Sequence, residues 1–274
     1  MARFIRVTFF IILIATPIFF YKSVNRNNHV TTNNNSFIDL TEVVPLKIKN
    51  TQVRGQIAII FDDLGGSLEE LRQLYKLNIP LTISVIPDLK FSRNIAHIGA
   101  RCGFSVFIHL PLAPEDRSKI ESAKYRFISS DLSKREVEAI LRRYLNYIRI
   151  AIGVNNHMGS EATQDRRLME IVMKAVKNKG LIFVDSKTSA NSVAYEVANS
   201  SGLVCGYNEG FLDSLDDTAF MEERIEELIL KAQSKGKIIV IAHPKKSTVD
   251  FLRNNLPRIE EKVDFITVKD YFDL

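Results

Sequence analysis

From Ile57 onward, short runs that are apolar at every position alternate with longer stretches whose apolar residues recur every three or four positions. The first run, Ile57–Phe61, ends in Asp62-Asp63-Leu64-Gly65-Gly66, and Ser67 then stands at the N-cap position of a helix that begins LEELRQLYKL. The same rhythm predicts further strands at Leu81–Ile86, Phe104–Ile108, Ala151–Val154, Leu181–Val184, Leu203–Gly206, Lys237–Ala242 and Phe265–Val268. Helices are expected near Phe91–Arg101, Ser133–Arg149 and Asp165–Lys179, then up to about Ser200, near Thr218–Ser234 and near Ser247–Glu260. Strands this apolar are buried on both faces, as in parallel sheets covered by helices. Seven or eight such units in residues 56–274 fit an α/β fold of the (β/α)-barrel kind, complete or an incomplete seven-stranded barrel, better than an open doubly wound sheet. No G-x-G-x-x-G follows the first strand and no G-x-x-x-x-G-K-[ST] occurs, so dinucleotide and nucleoside triphosphate sites lack their motifs.

The N-terminus follows a different pattern. Arg3 and Arg6 precede an uncharged, mostly apolar run from Val7 to Tyr21, which Lys22 closes. This is the layout of a secretory signal. The run is shorter than the ~20 residues of a spanning helix, and Pro17 interrupts it. No A-x-A cleavage site follows, so residues 1–21 read equally as a signal peptide or an uncleaved membrane anchor, and either one places the rest outside the cytoplasm, in the periplasm or cell envelope. Between Asn25 and Asn35 six of eleven residues are Asn, and residues 22–55 read as a tether too polar to order itself.

Charge then matters only by its placement. The formal net charge is +5, and residues 1–56 supply all of it, with seven Lys/Arg against Asp39 and Glu42. The remaining residues are neutral and offer no basic patch, which removes the case for a nucleic-acid partner. Cys102 and Cys205 are far apart, in mostly apolar surroundings and without C-x-x-C spacing; they are expected as buried thiols.

In a βα barrel the C-terminal ends of the strands share one face, where ligands bind. The residues at those ends are Asp62, Asp63, Asp88, His109, Asn155 to His157, Asp185 and His243. Only five histidines occur in the chain, and three of them fall here; His29 in the tether and His97 on a helix are expected to be structural or solvated. A lone Asp after a strand is more often a turn or helix cap than a ligand, and Asp88 is read that way. Adjacent carboxylates with histidines after strands three, four and seven form a mixed oxygen and nitrogen set suited to Zn²⁺ or a similar divalent ion rather than Ca²⁺ or Mg²⁺. Adjacent side chains on a strand point in opposite directions, so Asp62 and Asp63 can serve one site only if the strand ends at Phe61 and the loop redirects one of them.

The strings IIFDDLGGS, FIHLPLAP, GVNNHMGSEAT, FVDSKT, FLDS and IAHP resemble the divergent polysaccharide deacetylases, a distant branch of the metal-dependent carbohydrate esterases typified by chitooligosaccharide deacetylases. The resemblance runs from about Gln56 to the C-terminus and implies a polysaccharide deacetylase-like barrel over residues 56–274. It assigns Asp62 as general base, Asp63 and His109 as metal ligands and His243 as general acid. The H-x-x-x-H of typical deacetylases is absent, since Ala113 stands four residues after His109; His157 is the candidate replacement from the fourth strand. The arginine motif that usually orients the base is also missing, and Asn155-Asn156 stand there instead. Asn156 and Asp185 are expected to meet substrate. The implied substrate is an N- or O-acetylated envelope polysaccharide or oligosaccharide, although the chain has no Trp to stack on sugar rings. Two other readings remain open at this point: a metal-dependent hydrolase of another substrate, and a catalytically silent envelope-binding protein.

Overall fold

The structure is a computed structural model that describes residues 54–121 and 123–274. The expected export segment 1–21, and all but the last two residues of the tether 22–55, lie outside the described residues. Strands and helices alternate in chain order: β1 (Gly55–Leu64), α1 (Leu68–Tyr75), β2 (Thr82–Val85), α2 (Ser92–Arg101), β3 (Ser105–Leu112), the short α3 (Ser118–Glu121), α4 (Lys134–Tyr147), β4 (Gly153–Met158), α5 (Arg166–Asn178), β5 (Ile182–Asp185), α6 (Ala194–Ser200), β6 (Cys205–Tyr207), α7 (Thr218–Lys235), β7 (Lys237–Ala242), α8 (Lys246–Glu260), β8 (Val263–Ile266) and α9 (Val268–Tyr271).

Seven parallel strands run in the order β6-β5-β4-β3-β2-β1-β7, and the sheet curls into an incomplete barrel. β1 is long enough to serve three neighbours. β7 pairs along Gln56–Phe61, while on its other edge β8 takes Gly55–Ala58 and β2 takes Ile60 to Leu64. The edge strands β6 and β7 do not pair directly. Residues 209–212 stand in the gap, held to β7 by three backbone hydrogen bonds: Glu209 N to Ile239 O (2.9 Å), Ile241 N to Gly210 O (3.3 Å) and Leu212 N to Ile241 O (2.9 Å).

The barrel interior is a small apolar core of Ala58 and Ile60 from β1, Phe107 from β3, Ile182 and Val184 from β5, and Ile239 and Ile241 from β7. Odd-numbered strands thus supply the bulk, in the alternate-strand layering of closed βα barrels. Even-numbered strands supply small or polar groups: Thr82 and Ser84 are buried, and a Cβ at Gly153 would lie 2.3 Å from the Phe107 ring. Val268, at the start of α9, joins this core, and its amide donates to Thr82 Oγ1 at 2.9 Å. A larger apolar layer lies between the strands' outer faces and the helices. α4 begins at a capping box in which Ser133 and Glu136 satisfy each other's backbone amides.

Three strands differ from the apolar runs in the same way, by continuing past them, whereas β2 is shorter than its run and β8 lies two residues earlier than expected. β1 extends to Leu64, β3 to Leu112 and β4 to Met158, so Asp62, Asp63, His109, Asn155, Asn156 and His157 lie within strands rather than in the loops beyond. Apolar periodicity stops where the barrel interior becomes polar, whereas the ladder hydrogen bonds do not. The cysteines also depart from expectation. Cys102 is exposed, because it caps the end of α2 where the chain turns outward through Gly103, and Cys205 is half-buried.

Candidate metal centre

Above the apolar interior, the inward positions of successive strands turn polar: Asp62 on β1, Ser84 on β2, His109 on β3 and Asn155 on β4, all buried. Asn155 joins them. Its Nδ2 donates to both oxygens of Asp62 (2.8 and 3.1 Å) and to Ser186 Oγ (3.2 Å), while its Oδ1 accepts from Ser84 Oγ (2.5 Å) and from His109 Nδ1 (2.9 Å). A carboxylate only accepts, so the amide must turn its NH₂ to Asp62 and its oxygen to His109. In the neutral ring that oxygen holds the His109 proton on Nδ1 and leaves the Nε2 lone pair free.

Strand alternation would send Asp63 outward into the helix layer. A bulge in the pairing with β2 between Phe61 and Leu64, together with left-handed backbone at Asp63 (φ 63°), turns it back instead. The redirection that the Asp-Asp pair requires therefore happens inside β1, and the strand does not end at Phe61. Asp63 Oδ1 then lies 3.1 Å from His109 Nε2 and 2.8 Å from His157 Nδ1. This oxygen is buried yet receives no hydrogen bond, although the Asp63 side chain as a whole is 41% exposed and opens to solvent on its far side.

One carboxylate oxygen and two imidazole nitrogens, all within 4.8 Å of one another, form a set that could hold a metal ion. Tetrahedral zinc with bonds of ~2.0–2.2 Å sets its ligands about 3.3 Å apart, and the two contacts to Asp63 Oδ1, at 3.1 and 2.8 Å, lie close to that spacing. A mixed oxygen and nitrogen set of three also leaves a fourth position open. Burial tends to raise the Asp63 carboxyl pKa, but the two imidazoles outweigh it and hold the group well below the ordinary carboxylate value. Burial lowers the His157 pKa. At His109, burial pulls the pKa down, but Asp62 and Asp63 prevail and raise it. Asp62 lies beside the centre, Oδ2 3.6 Å from His109 Nε2, and burial lifts its pKa to about 6 against the pull of His109, His243 and Asn155.

His243 follows the end of β7 and faces Asp63 Oδ2 at 3.9 Å through Nε2. Its other nitrogen, Nδ1, donates to Asp213 Oδ1 at 2.9 Å, and its ring stacks on Phe211. Asp213 is fully buried and is held by the His243 amide (3.0 Å) and Thr248 Oγ1 (2.7 Å). Burial alone would lower the His243 pKa, and the Asp213 carboxylate outweighs it, so the imidazolium persists above its usual range.

The five residues expected in catalytic and metal roles, Asp62, Asp63, His109, His157 and His243, thus converge. The two expected at substrate do not reach it. Asn156 points to the other face of β4, where Oδ1 accepts from the Ser186 amide (2.8 Å) and Nδ2 donates to Met158 O (2.7 Å). Asp185 is fully buried and caps its own loop, accepting from Lys187 N (2.9 Å), Ser192 Oγ (2.7 Å) and Tyr195 N (3.2 Å). Both shape the loops that frame the site. Asp88, expected as a turn or helix cap, pairs with Arg143 at 2.9 Å. Asp213 and Tyr125, whose hydroxyl lies 2.8 Å from His157 Nε2, have no signal of their own in the sequence; Asp213 lies in the FLDS string and Tyr125 in a long polar loop.

Comparison with known proteins agrees with this architecture. The sequence model of a family described as divergent polysaccharide deacetylase matches residues 59–272. A protein of Escherichia coli K12, the uncharacterized protein YibQ, is 32% identical over 215 residues, which cover 77% of this chain and 66% of that one. An uncharacterized protein of Haemophilus influenzae is 30% identical over 213 residues, covering 78% of this chain and 75% of its own. The chain therefore spans just under two thirds of the first relative's length. The crystal structure of an uncharacterized protein from Agrobacterium tumefaciens C58 has the same fold, with a TM-score of 0.73 at 18% identity over 80% of this chain and 89% of that one.

Proposed function

The chain belongs to the divergent polysaccharide deacetylase family, and on that premise we propose that it is a metal-dependent hydrolase that removes N- or O-acetyl groups from a cell-envelope polysaccharide or oligosaccharide. The observation that carries this reading is Asp63 Oδ1, a buried oxygen set 3.1 Å from His109 Nε2 and 2.8 Å from His157 Nδ1 and flanked by a second carboxylate and a third imidazole. Asp63, His109 and His157 would hold a divalent cation, with Zn²⁺ the best match to the donor set. When bound, such an ion lowers the pKa of water toward ~7 and polarises an acyl carbonyl.

The chain's own groups divide the proton work. Asp62, pinned by both hydrogen bonds from Asn155, takes a proton from the attacking water. His243 gives one to the departing amine or alcohol through Nε2, while Asp213 holds its Nδ1–H and stabilises the charged ring. Acetate and the freed amine or hydroxyl are the products. Substrate enters from the side where Asp63 and His243 are exposed, since His109 and His157 are sealed beneath. We place the domain outside the cytoplasm, exported or anchored by residues 1–21.

The test is elemental analysis of the purified full chain combined with acetate release from a panel of N- and O-acetylated glycans. About one zinc-type ion per chain and metal-dependent acetate release are expected. A chain that retains no divalent metal and releases no acetate would overturn the proposal and leave an envelope-binding role without catalysis.

A further inference from the structure

His109 and His157 stand on adjacent strands yet present opposite ring nitrogens to the centre. His109 turns Nε2 inward and gives Nδ1 to Asn155, whereas His157 turns Nδ1 inward and gives Nε2 to Tyr125 Oη at 2.8 Å. An imidazole ligand needs a partner on its second nitrogen to fix the tautomer and the ring plane. For His109 that partner is an amide on the neighbouring strand. For His157 it is a phenol on the loop between β3 and α4.

We infer that Tyr125 is the positioning residue that makes His157 a metal ligand, its hydroxyl oxygen accepting the hydrogen bond of Nε2–H so that the Nδ1 lone pair faces the ion. This rests on the metal reading proposed above and adds which atom binds and what holds it.

The loop is built to put Tyr125 in that place. Ile128 pairs with Leu112 and continues the sheet beside β3, with Ile128 N donating to Pro111 O (3.0 Å) and Ala113 N to Ile128 O (2.9 Å). The buried Tyr144 on α4 clamps the residue next to Tyr125, its hydroxyl accepting from Arg126 N and donating to Arg126 O, both at 2.8 Å. Phe127 stacks on the His157 ring at 24° and 6.1 Å, and Tyr125 and His109 meet the same ring edge-on at 5.5 and 4.9 Å. The ring is thus walled on several sides. A half-turn about χ2 would exchange Nδ1 with Cδ2 and Nε2 with Cε1, placing carbons at both polar contacts, so the observed orientation is the one that satisfies Asp63 and Tyr125 together. The segment after β3, which lacks a second histidine of its own, instead carries the residue that orients a histidine supplied by β4.

Two measurements on the full chain test this. Zinc affinity by chelator competition is expected to fall about 10–100-fold in Tyr125→Phe, with the unfolding temperature of the metal-free protein unchanged. Independently of any variant, ¹⁵N-histidine NMR of the zinc-loaded wild type is expected to show two bound rings of opposite tautomer, His109 protonated at Nδ1 and His157 at Nε2; five histidines in all make assignment tractable. Zinc binding by Tyr125→Phe as tight as by wild type, or two bound rings of the same tautomer, overturns the inference while leaving the metal site standing. Wild-type protein that binds no zinc removes the metal reading and this inference together.

Discussion

Replacing Asn155 with Asp exchanges one NH₂ group for oxygen at the centre of the site, and the structure allows the effect to be worked through. The side chain is fully buried, so shape is preserved and solvent cannot intervene. The oxygen facing His109 Nδ1 at 2.9 Å remains an acceptor, and the tautomer of that ligand is kept. On the other side, a carboxylate oxygen now meets Asp62 where Nδ2 stood 2.8 Å away. At an effective dielectric of about 20, two unit charges at that distance repel by about 6 kcal/mol. At about 1.4 kcal/mol per pKa unit this amounts to roughly four units, added to an Asp62 that burial has already raised to about 6. The pair therefore keeps one shared proton at neutral pH, and its titration belongs to the pair rather than to either carboxyl. With no free base, acetate release at pH 7 is expected to fall by about 10²–10⁴ and to recover in part as pH rises, while zinc stays bound. The assay is the pH–rate profile alongside metal content, with thermal unfolding as the control for folding. Wild-type turnover with an unshifted profile would refute the role given to Asn155 and Asp62. Loss of zinc together with turnover would instead place Asn155 in service of the metal.

The neighbouring carboxylates are expected to fail differently. Asp63→Asn should lose metal and activity together, whereas Asp62→Asn should keep its metal and lose about 10²–10⁴ in rate, as read by metal content and acetate release on the same samples. In Asp213→Asn the imidazolium of His243 loses the carboxylate that outweighs its burial, so its pKa falls and the alkaline limb of the pH–rate profile moves to lower pH; an unmoved limb would exclude His243 as the acid. Far from the site, Ser133→Ala removes the N-cap of α4 and is expected to cost about 1 kcal/mol, seen as a drop of roughly 2–4 °C in unfolding temperature with activity per folded molecule intact.

The alternation of strand and helix was legible because most strands are buried on both faces and carry unbroken apolar runs. Their C-terminal limits were not. In β1, β3 and β4 the inward positions change from Ile60, Phe107 and Gly153 to Asp62, His109 and Asn155, so the apolar signal stops while the ladder continues. Sequence rules fail locally at such places because the site, and not the core, chooses the residue. The five convergent residues were legible through their types and strand-end positions. Asn156 and Asp185 stand apart from these five because polarity at a strand end does not say which face a side chain takes. Asp213 and Tyr125 were hidden for a related reason: each acts on a histidine distant in sequence, and only the folded chain joins Asp213 to His243 or Tyr125 to His157.

The barrel wall is not equally durable around its circumference. Asp63, His109 and His157 stand on β1, β3 and β4, and the β3–β4 pairing runs continuously from Phe107 to Leu112. Asp213 instead follows directly on residues 209–212, which are held to β7 by three backbone hydrogen bonds. Local opening starts where few bonds hold the backbone, so this seam should part first on warming, with the amides of Glu209 and Leu212 exchanging with solvent well before those of Ile108 and Val154. Once it parts, Asp213 lets go of His243 while the three ligands keep their places. On the function proposed above, heat would silence the proton donor before the metal ligands separate, and activity would return on cooling without recapture of metal.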